Sequence, residues 1–127
     1  LVPRARAWEA IHAVEGLRDR ITPHLFITEL RTIDADTLWM SSAYQRPSLA
    51  IHFTWKPDWP AVQAVLPHIE AALQPFDARP HWAKLFTMPG SHIQSLYEKL
   101  PEFQALVRHY DPAGKFRNQY LNSTIFS

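Results

Sequence analysis

The sequence predicts an α+β domain in which an antiparallel sheet carries helices mainly on one face. Two stretches, residues 24–33 and 48–56, alternate their side chains with a period of two, which is typical of β-strands. Three others, residues 3–21, 58–74 and 101–110, place apolar side chains at helical spacing. No internal repeat or linker interrupts the 127 residues, so we expect one domain.

The first predicted helix and the strand after it are separated by a proline. Pro3 fits the first turn of a helix over residues 3–21, and Pro23 ends it because a residue before proline disfavours helical torsion angles. The strand at residues 24–33 has apolar side chains on both faces, which favours a central position in the sheet over an edge. A polar connection over residues 34–47 leads to the second strand.

A second helix and a third strand are predicted next. Asp58 is a plausible N-cap for the helix over residues 58–74, and Pro67 is expected to kink it or to remove one hydrogen bond. The stretch 81–88 reads as a strand in which Lys84 shares a face with apolar side chains. Two helical segments, a turn and a short final segment follow, at residues 91–100, 101–110, 111–114 and 115–121.

Polar side chains interrupt both confident strands at positions two apart. Glu29 and Arg31 lie on the first strand, and His52 and Thr54 lie on the second. Side chains two apart in a strand point to the same face, so each strand presents a polar pair. A solvated face carrying an ion pair and a histidine explains these residues as well as a functional site does.

Burial would distinguish these two interpretations. Leu25 and Ile27 are predicted to share the face of Glu29 and Arg31, which suggests that the pair is shielded from water. Desolvation of a buried ion pair often outweighs its attraction, so burial would favour function over stability. Lys84, set in a row of aromatic residues, needs a partner for its ammonium group unless it reaches solvent at the sheet edge.

The charge pattern and the cysteine count exclude several classes of protein. A net charge of +1, with both signs interspersed, gives no electrostatic footprint for nucleic acid or an anionic membrane. No apolar run approaches the roughly 20 residues that span a bilayer. The absence of cysteine excludes disulfides and thiolate catalysis. Together with an N-terminus that lacks the apolar core of a signal peptide, it predicts a cytoplasmic protein.

Histidine spacing and glycine content narrow the chemistry further. The 7 histidines show neither HxH nor HExxH spacing, so no metal site is expected. With only 3 glycines, the chain has no phosphate-cradling loop of the GxGxxG or GxxxxGK[ST] type. A nucleotide cofactor would therefore have to be bound by another part of the protein.

Four motifs, ELR (29–31), HFT (52–54), HWAK (81–84) and DPAGKFRN (111–118), occur in an order that resembles one family. They are similar to the C-terminal part of the alditol and xylitol oxidases, flavin enzymes of the vanillyl-alcohol oxidase superfamily that are related to the sugar-1,4-lactone oxidases. Each motif is weak alone, and the combination is specific. The resemblance covers nearly the whole chain, including the opening VPR, which is therefore expected to be native sequence.

The resemblance implies that residues 1–127 are a single C-terminal substrate-binding (cap) domain. In this family an N-terminal domain binds FAD, and the cap domain covers the isoalloxazine ring and supplies groups to the substrate. The FAD-binding domain is not part of this chain, in agreement with its few glycines. The chain alone is expected to be inactive and to dimerise through its exposed flavin-facing surface.

Site residues follow from the resemblance, position by position. Arg31, Lys84 and His52 are the implied catalytic residues, with the two cations stabilising anionic charge and either Lys84 or His52 acting as base. Arg31, Lys84 and Asn118 are the implied contacts to the cofactor. The implied substrate-binding residues are the five that strand alternation and the third predicted strand single out: Glu29, Arg31, His52, Thr54 and Lys84.

The implied reaction is oxidation of the terminal alcohol of a polyol or sugar at FAD, with O2 converted to H2O2. A sugar-1,4-lactone oxidase of the arabinonolactone or gulonolactone type is an alternative that differs mainly in substrate. A non-catalytic α+β binding module is an alternative of another class. A polyol offers many hydroxyl groups, and a site for it needs hydrogen-bond donors and acceptors at fixed positions.

Overall fold

The computed structural model describes residues 1–126 and confirms the α+β class. Its sheet is antiparallel and three-stranded, with the order β1 (Val2–Pro3), β3 (Ser48–Trp55), β2 (Leu25–Ile33). The helices of the described residues are α1 Ala7–Glu15, α2 Arg18–Ile21, α3 Trp59–Leu73, α4 Gly90–Ser95, α5 Leu100–Tyr110 and α6 Gln119–Thr124. Short 3-10 turns lie at Arg4–Arg6, Thr22–His24 and Gln74–Phe76.

The opening residues belong to the sheet, and the first predicted helix is divided in two. Val2 is 1% exposed and is paired with Leu49 in an antiparallel bridge, so the chain is extended before α1 starts. Gly16 and Leu17 separate α1 from α2, and Leu17 has non-helical torsion angles (φ −102°, ψ 9°). Glycine is a poor helix former, so the helix is interrupted at Gly16 although the helical spacing of apolar side chains continues beyond it.

Strand β2 lies at the edge of the sheet within residues 1–126, not in the centre as its composition predicts. Three of its apolar side chains are open to solvent: Phe26 (66% exposed), Ile27 (56%) and Leu30 (52%). A bulge between Leu25 and Ile27 interrupts the register with β3. Leu25 consequently packs with the helix-side cluster around Ile21, while Ile27 joins the other face. The prediction that Leu25 and Ile27 share a face is therefore wrong.

Helix α3 covers the inner side of the sheet as one continuous element. Asp58 accepts a hydrogen bond from the backbone N–H of Ala61 (3.2 Å), which confirms it as the N-cap. Pro67 lies inside the helix on its exposed side without ending it. Four side chains of α3 are buried: Val62, Val65, Leu66 and Ile69.

The segment 81–88 is an irregular loop, so the prediction of a third strand there is wrong. Its alternating apolar side chains pack onto a helical cluster instead of a sheet. Trp82, Phe86 and Met88 contact the buried cluster of Ile93, Tyr97, Leu100 and Ile125. The period of two arises here because Trp82, Phe86 and Met88 all pack onto one apolar surface, and Lys84 is exposed between Trp82 and Phe86.

β1 pairs only with Ser48 and Leu49, which leaves the rest of that edge of β3 without a neighbouring strand among the described residues.

The C-terminal part forms two more helices around a tight turn. Asp111 ends α5, and its carboxylate accepts hydrogen bonds from the backbone N–H groups of Lys115 (2.7 Å) and Phe116 (3.0 Å). Gly114 adopts φ +66°, a left-handed conformation that glycine takes without strain. The short final segment continues into α6. In the described part of the chain, no helix has both the length and the apolar character needed to cross a membrane.

Candidate active site

Glu29, Arg31 and His52 form a hydrogen-bonded group on the open face of the sheet. The register places Glu29 directly opposite His52 on neighbouring strands, and Arg31 lies two residues along β2 on the same face. His52 Nδ1 is 2.8 Å from Glu29 Oε2, and Arg31 Nη2 donates to the same oxygen at 2.7 Å. One carboxylate oxygen thus orients both the imidazole and the guanidinium.

This group is only partly shielded from solvent. The exposed side-chain fractions are 39% for Glu29, 29% for His52 and 64% for Arg31. The ion pair is therefore not buried as its apolar neighbours suggest, because the bulge moves Leu25 to the other side of the sheet. An exposed pair of this kind contributes little to stability.

The hydrogen bonds set the ionisation of Glu29 and the tautomer of His52. The bond to His52 and, after it, the bond and charge of Arg31 hold the pKa of the Glu29 carboxyl below its usual range. A carboxylate only accepts hydrogen bonds, so Nδ1 of His52 carries the proton that lies between them. In the neutral imidazole the lone pair is then at Nε2, the nitrogen available to a ligand.

A cleft of about 390 Å³ lies beside this group, and Lys84 lines it from a distant part of the chain. Residues 50–53 of β3 all line the cleft, so it follows the edge of that strand. Arg31, His52 and Lys84 line it together. Its apolar walls include Phe53, Trp55, Leu66, Ile69, Leu73 and Phe86.

Lys84 reaches the cleft from a loop that is hydrogen-bonded on the N-terminal side of Lys84. Lys84 N donates to His81 O (2.9 Å) in a turn. Just before that turn, Ser42 Oγ donates to Pro80 O (2.9 Å), and within it Trp82 Nε1 donates to Met40 O (2.7 Å). The Lys84 side chain is exposed and is not enclosed by aromatic rings, since Trp82 and Phe86 pack onto the cluster around Ile93.

Two predicted site residues lie outside this group. Thr54 shares the face of His52 and is opposite Ile27, but it is exposed and does not line the cleft. Asn118 is the N-cap of α6, where Oδ1 accepts from the backbone N–H of Leu121 (2.9 Å). The structure therefore brings together Glu29, Arg31, His52 and Lys84, and it gives Asn118 a structural task.

Sequence reasoning missed Glu70, which also lines the cleft. Its carboxylate accepts from Thr87 N (2.6 Å) and Thr87 Oγ1 (2.7 Å), which ties α3 to the loop of Lys84. The available signal was its position beside Ile69 and one turn after Leu66 on the apolar side of α3. Among residues 1–126, no group of three His, Asp or Glu side chains is placed to hold a metal ion.

Comparison with known proteins gives a family match that covers nearly the whole chain. A family model described as D-arabinono-1,4-lactone oxidase matches residues 2–124. The alditol oxidase of Streptomyces sp. (strain IKD472 / FERM P-14339) is 42% identical over 125 residues, covering 98% of this chain and 30% of that protein. The match extends through both strands and the loop of Lys84.

More distant relatives carry the names of lactone-oxidising enzymes. The L-gulonolactone oxidase of Scyliorhinus torazame is 28% identical over 122 residues, covering 90% of this chain and 28% of that protein. The L-gulono-1,4-lactone dehydrogenase of Mycobacterium tuberculosis is 27% identical over 127 residues, covering 98% of this chain and 29% of that protein. The chain therefore spans less than a third of the length of these relatives.

Proposed function

Because this chain belongs to the D-arabinono-1,4-lactone oxidase family, we propose that it is the C-terminal substrate-binding domain of an FAD-dependent alcohol oxidase. The complete enzyme would oxidise the terminal alcohol of a polyol or sugar to the aldehyde and pass two electrons to O2, giving H2O2. The 42% identity to an alditol oxidase over 98% of the chain favours a polyol as the substrate. The chain alone would be inactive, since FAD is bound mainly by a domain outside it.

The observation that carries this proposal is the meeting of Arg31, His52 and Lys84 at one cleft. They come from β2, β3 and the loop 81–88, which are far apart in sequence. Two cationic donors, Arg31 and Lys84, and the imidazole of His52 around one cleft suit a substrate that presents several hydroxyl groups. A pocket built only for packing would place apolar side chains at these positions.

The donor set of the cleft fits one side of a flavin. Arg31 and Lys84 are cations that suit the negative charge of a reduced isoalloxazine ring, and the aromatic and aliphatic walls suit its planar surface. The 3 glycines of the chain leave no loop for the pyrophosphate, so this chain would contact the ring while another domain holds the rest of FAD. When bound, the flavin supplies the two-electron redox chemistry.

Glu29 and His52 would act together on the substrate hydroxyl. Glu29 accepts a hydrogen bond from the Nδ1–H of His52, which leaves Nε2 as a hydrogen-bond acceptor for an alcohol O–H. The same carboxylate stabilises the imidazolium that forms if His52 takes the proton. This arrangement supports His52 as the base, with Glu29 as the residue that fixes its tautomer and orientation.

Arg31 and Lys84 would stabilise the developing alkoxide and the cofactor's negative charge. Arg31 is held by Glu29 at 2.7 Å, so its guanidinium is oriented before substrate binds. Lys84 is exposed in this chain, and a covering FAD domain would remove water from it. Lys84 therefore stays the competing candidate for the base. Thr54 and Asn118 do not line the cleft in this chain, and we propose that they contact substrate and cofactor, respectively, in the complete enzyme.

The test is the Lys84→Ala variant of the full-length oxidase. We expect flavin reduction by a polyol under anaerobic conditions to slow by at least 100-fold, on the order expected for a lost electrostatic or acid–base group, with the flavin content unchanged. Lys99→Ala is the matched control, because Lys99 is on the surface in an ion pair with Glu102. Wild-type flavin reduction in Lys84→Ala, or loss of the bound flavin, would refute the assigned role.

A sugar-1,4-lactone oxidase is the second candidate, favoured by the description of the matching family and by the similarity to an L-gulonolactone oxidase. Steady-state kcat/KM with a set of alditols and a set of aldono-1,4-lactones separates the candidates. Higher kcat/KM for the alditols supports the polyol oxidase. Absence of flavin from the purified full-length protein would instead favour the non-catalytic binding module.

Two further proposals concern the self-association of the isolated chain and the location of the complete protein. The surface that would face the flavin carries Arg31, His52 and Lys84 in the open, and we expect copies of the isolated chain to associate through it. Size-exclusion chromatography coupled to light scattering measures this. A cytoplasmic location is proposed on the ground that a chain with no cysteine needs no oxidising compartment.

A further inference from the structure

We infer that Glu70 is a positioning residue for Lys84, acting through Thr87. This inference rests on the proposed function, since it explains how that site holds one of its cations. The carboxylate of Glu70 accepts two hydrogen bonds from Thr87, three residues after Lys84, and so fixes the loop 81–88 against helix α3.

The loop 81–88 depends on such side-chain hydrogen bonds for its conformation because it has no regular secondary structure. Its first half is held by hydrogen bonds through Pro80 and Trp82, to which Tyr120 adds a bond from its hydroxyl to Trp82 O (3.0 Å). Between Lys84 and Pro89, the hydrogen bonds that the structure gives to the described residues are the two from Thr87 to Glu70. The second half of the loop is thus hydrogen-bonded to the cleft wall through Thr87, in addition to the packing of Phe86 and Met88.

The chemistry at this point is directional. Glu70 Oε1 accepts the backbone N–H at 2.6 Å, and Oε2 accepts the hydroxyl at 2.7 Å, so each oxygen takes one donor. Hydrogen bonds to an ionised acceptor are shorter and stronger than neutral ones. Two such bonds, one from the backbone N–H and one from the hydroxyl of Thr87, fix both the position and the rotation of the Thr87 backbone.

Glu70 is a half-buried acid whose two carboxylate oxygens both bond to Thr87. It lies between buried Ile69 and the cleft on the apolar side of α3. Among residues 1–126, Glu70 belongs to none of the ion pairs within 4.0 Å. An acid placed near apolar surface without a cation costs free energy unless hydrogen bonds offset that cost, and the two Thr87 bonds supply this offset.

The experiment uses the full-length flavoenzyme with four variants: Glu70→Gln, Thr87→Val, Thr87→Ser and Lys84→Ala. Glutamine replaces the ionised acceptor by a neutral amide, which weakens the bond from the Thr87 N–H and makes the Thr87 hydroxyl accept instead of donate. Valine keeps the shape of threonine and removes the hydroxyl donor, whereas serine keeps both donors. Glu102→Gln is the control for the change of charge, since Glu102 is an exposed residue paired with Lys99.

We expect Glu70→Gln and Thr87→Val each to slow flavin reduction at saturating substrate by about tenfold, because small misplacements of a positioned group are costly. Thr87→Ser and Glu102→Gln should retain the wild-type rate. Flavin content and Tm are measured for each variant, and Thr87→Val provides the result should Glu70→Gln fail to fold.

The decisive readout is the double variant with Lys84→Ala. If Glu70 acts through Lys84, then Glu70→Gln adds no further loss in the Lys84→Ala background. The same tenfold loss in both backgrounds, or wild-type rates for Glu70→Gln and Thr87→Val, would overturn the inference. If Lys84→Ala alone reduces flavin at the wild-type rate, the proposed function fails instead, so the two failures are distinguishable.

Discussion

Replacing Ile93 by alanine tests whether the helical cluster beneath the loop of Lys84 is a close-packed core. Ile93 is 1% exposed and packs with Tyr97, Leu100 and Ile125. Its neighbours have little freedom to close a cavity, because Tyr97 is hydrogen-bonded to Ser42 (3.2 Å) as well as packed. Such a site belongs at or above the middle of the range for Ile→Ala changes, so we expect a loss of about 3.5 kcal/mol.

The assay is equilibrium unfolding of the 127-residue chain in urea. With a denaturant slope of about 1.5 kcal/mol per M, a loss of about 3.5 kcal/mol lowers the midpoint by about 2 M. Ile93→Val removes one methyl group and should cost about 1 kcal/mol, or about 0.7 M. Tryptophan fluorescence and far-ultraviolet circular dichroism should give coincident transitions, which justifies the two-state treatment.

Leu106→Ala is the control, because Leu106 lies on α5 and is 44% exposed. It should change the unfolding free energy by no more than about 0.5 kcal/mol, as surface substitutions usually do. A shift below about 0.5 M for Ile93→Ala would show that the packing around Ile93 is loose. The loop would then rest on its hydrogen bonds alone.

Three further predictions concern single contacts. Glu29→Gln should lower Tm by a constant amount at pH values above the usual carboxyl pKa of 4.5. The lowered pKa of Glu29 makes its contribution disappear as the pH falls through that lowered value, so melting curves of the two proteins should converge in acid, and a constant difference there would contradict the assignment. Asp58→Ala removes the N-cap of α3 and should cost about 1 kcal/mol in urea unfolding, with Asp58→Asn close to wild type. Gly114→Ala should cost about 1 kcal/mol, because φ is +66° and the added Cβ would lie 3.1 Å from Arg117 Nε, whereas Gly114→Asn should cost less.

Local pattern was enough to predict the two long strands, helix α3 and the polar face. Period-two alternation predicted Leu25–Ile33 and Ser48–Trp55 within a residue, and Asp58 with Pro60 predicted the start of α3. The alternation also places Glu29 and Arg31 on one face. It does not give the register, so the contact of Glu29 with His52 required the fold.

The errors have a common cause in tertiary packing. The segment 81–88 has the spacing of a strand because Trp82, Phe86 and Met88 enter one helical cluster, and sequence alone does not show what lies beneath them. The bulge after Leu25 reverses the face of the strand's start without any glycine or proline to mark it. The cofactor contact of Asn118, which rests on the resemblance, stays a prediction, and the structure adds that Asn118 is the N-cap of α6.

The charges on the open strand have a second effect, on solubility. β2 offers nine residues along an edge that no strand of residues 1–126 covers, with Phe26, Ile27 and Leu30 exposed on it. Long apolar edges of this kind invite a second copy to add its own strand, and charged side chains oppose that addition. Glu29 and Arg31 supply those charges in the middle of β2. Variants that neutralise them for kinetic work will also promote aggregation, so their activities should be compared per soluble, flavin-loaded protein.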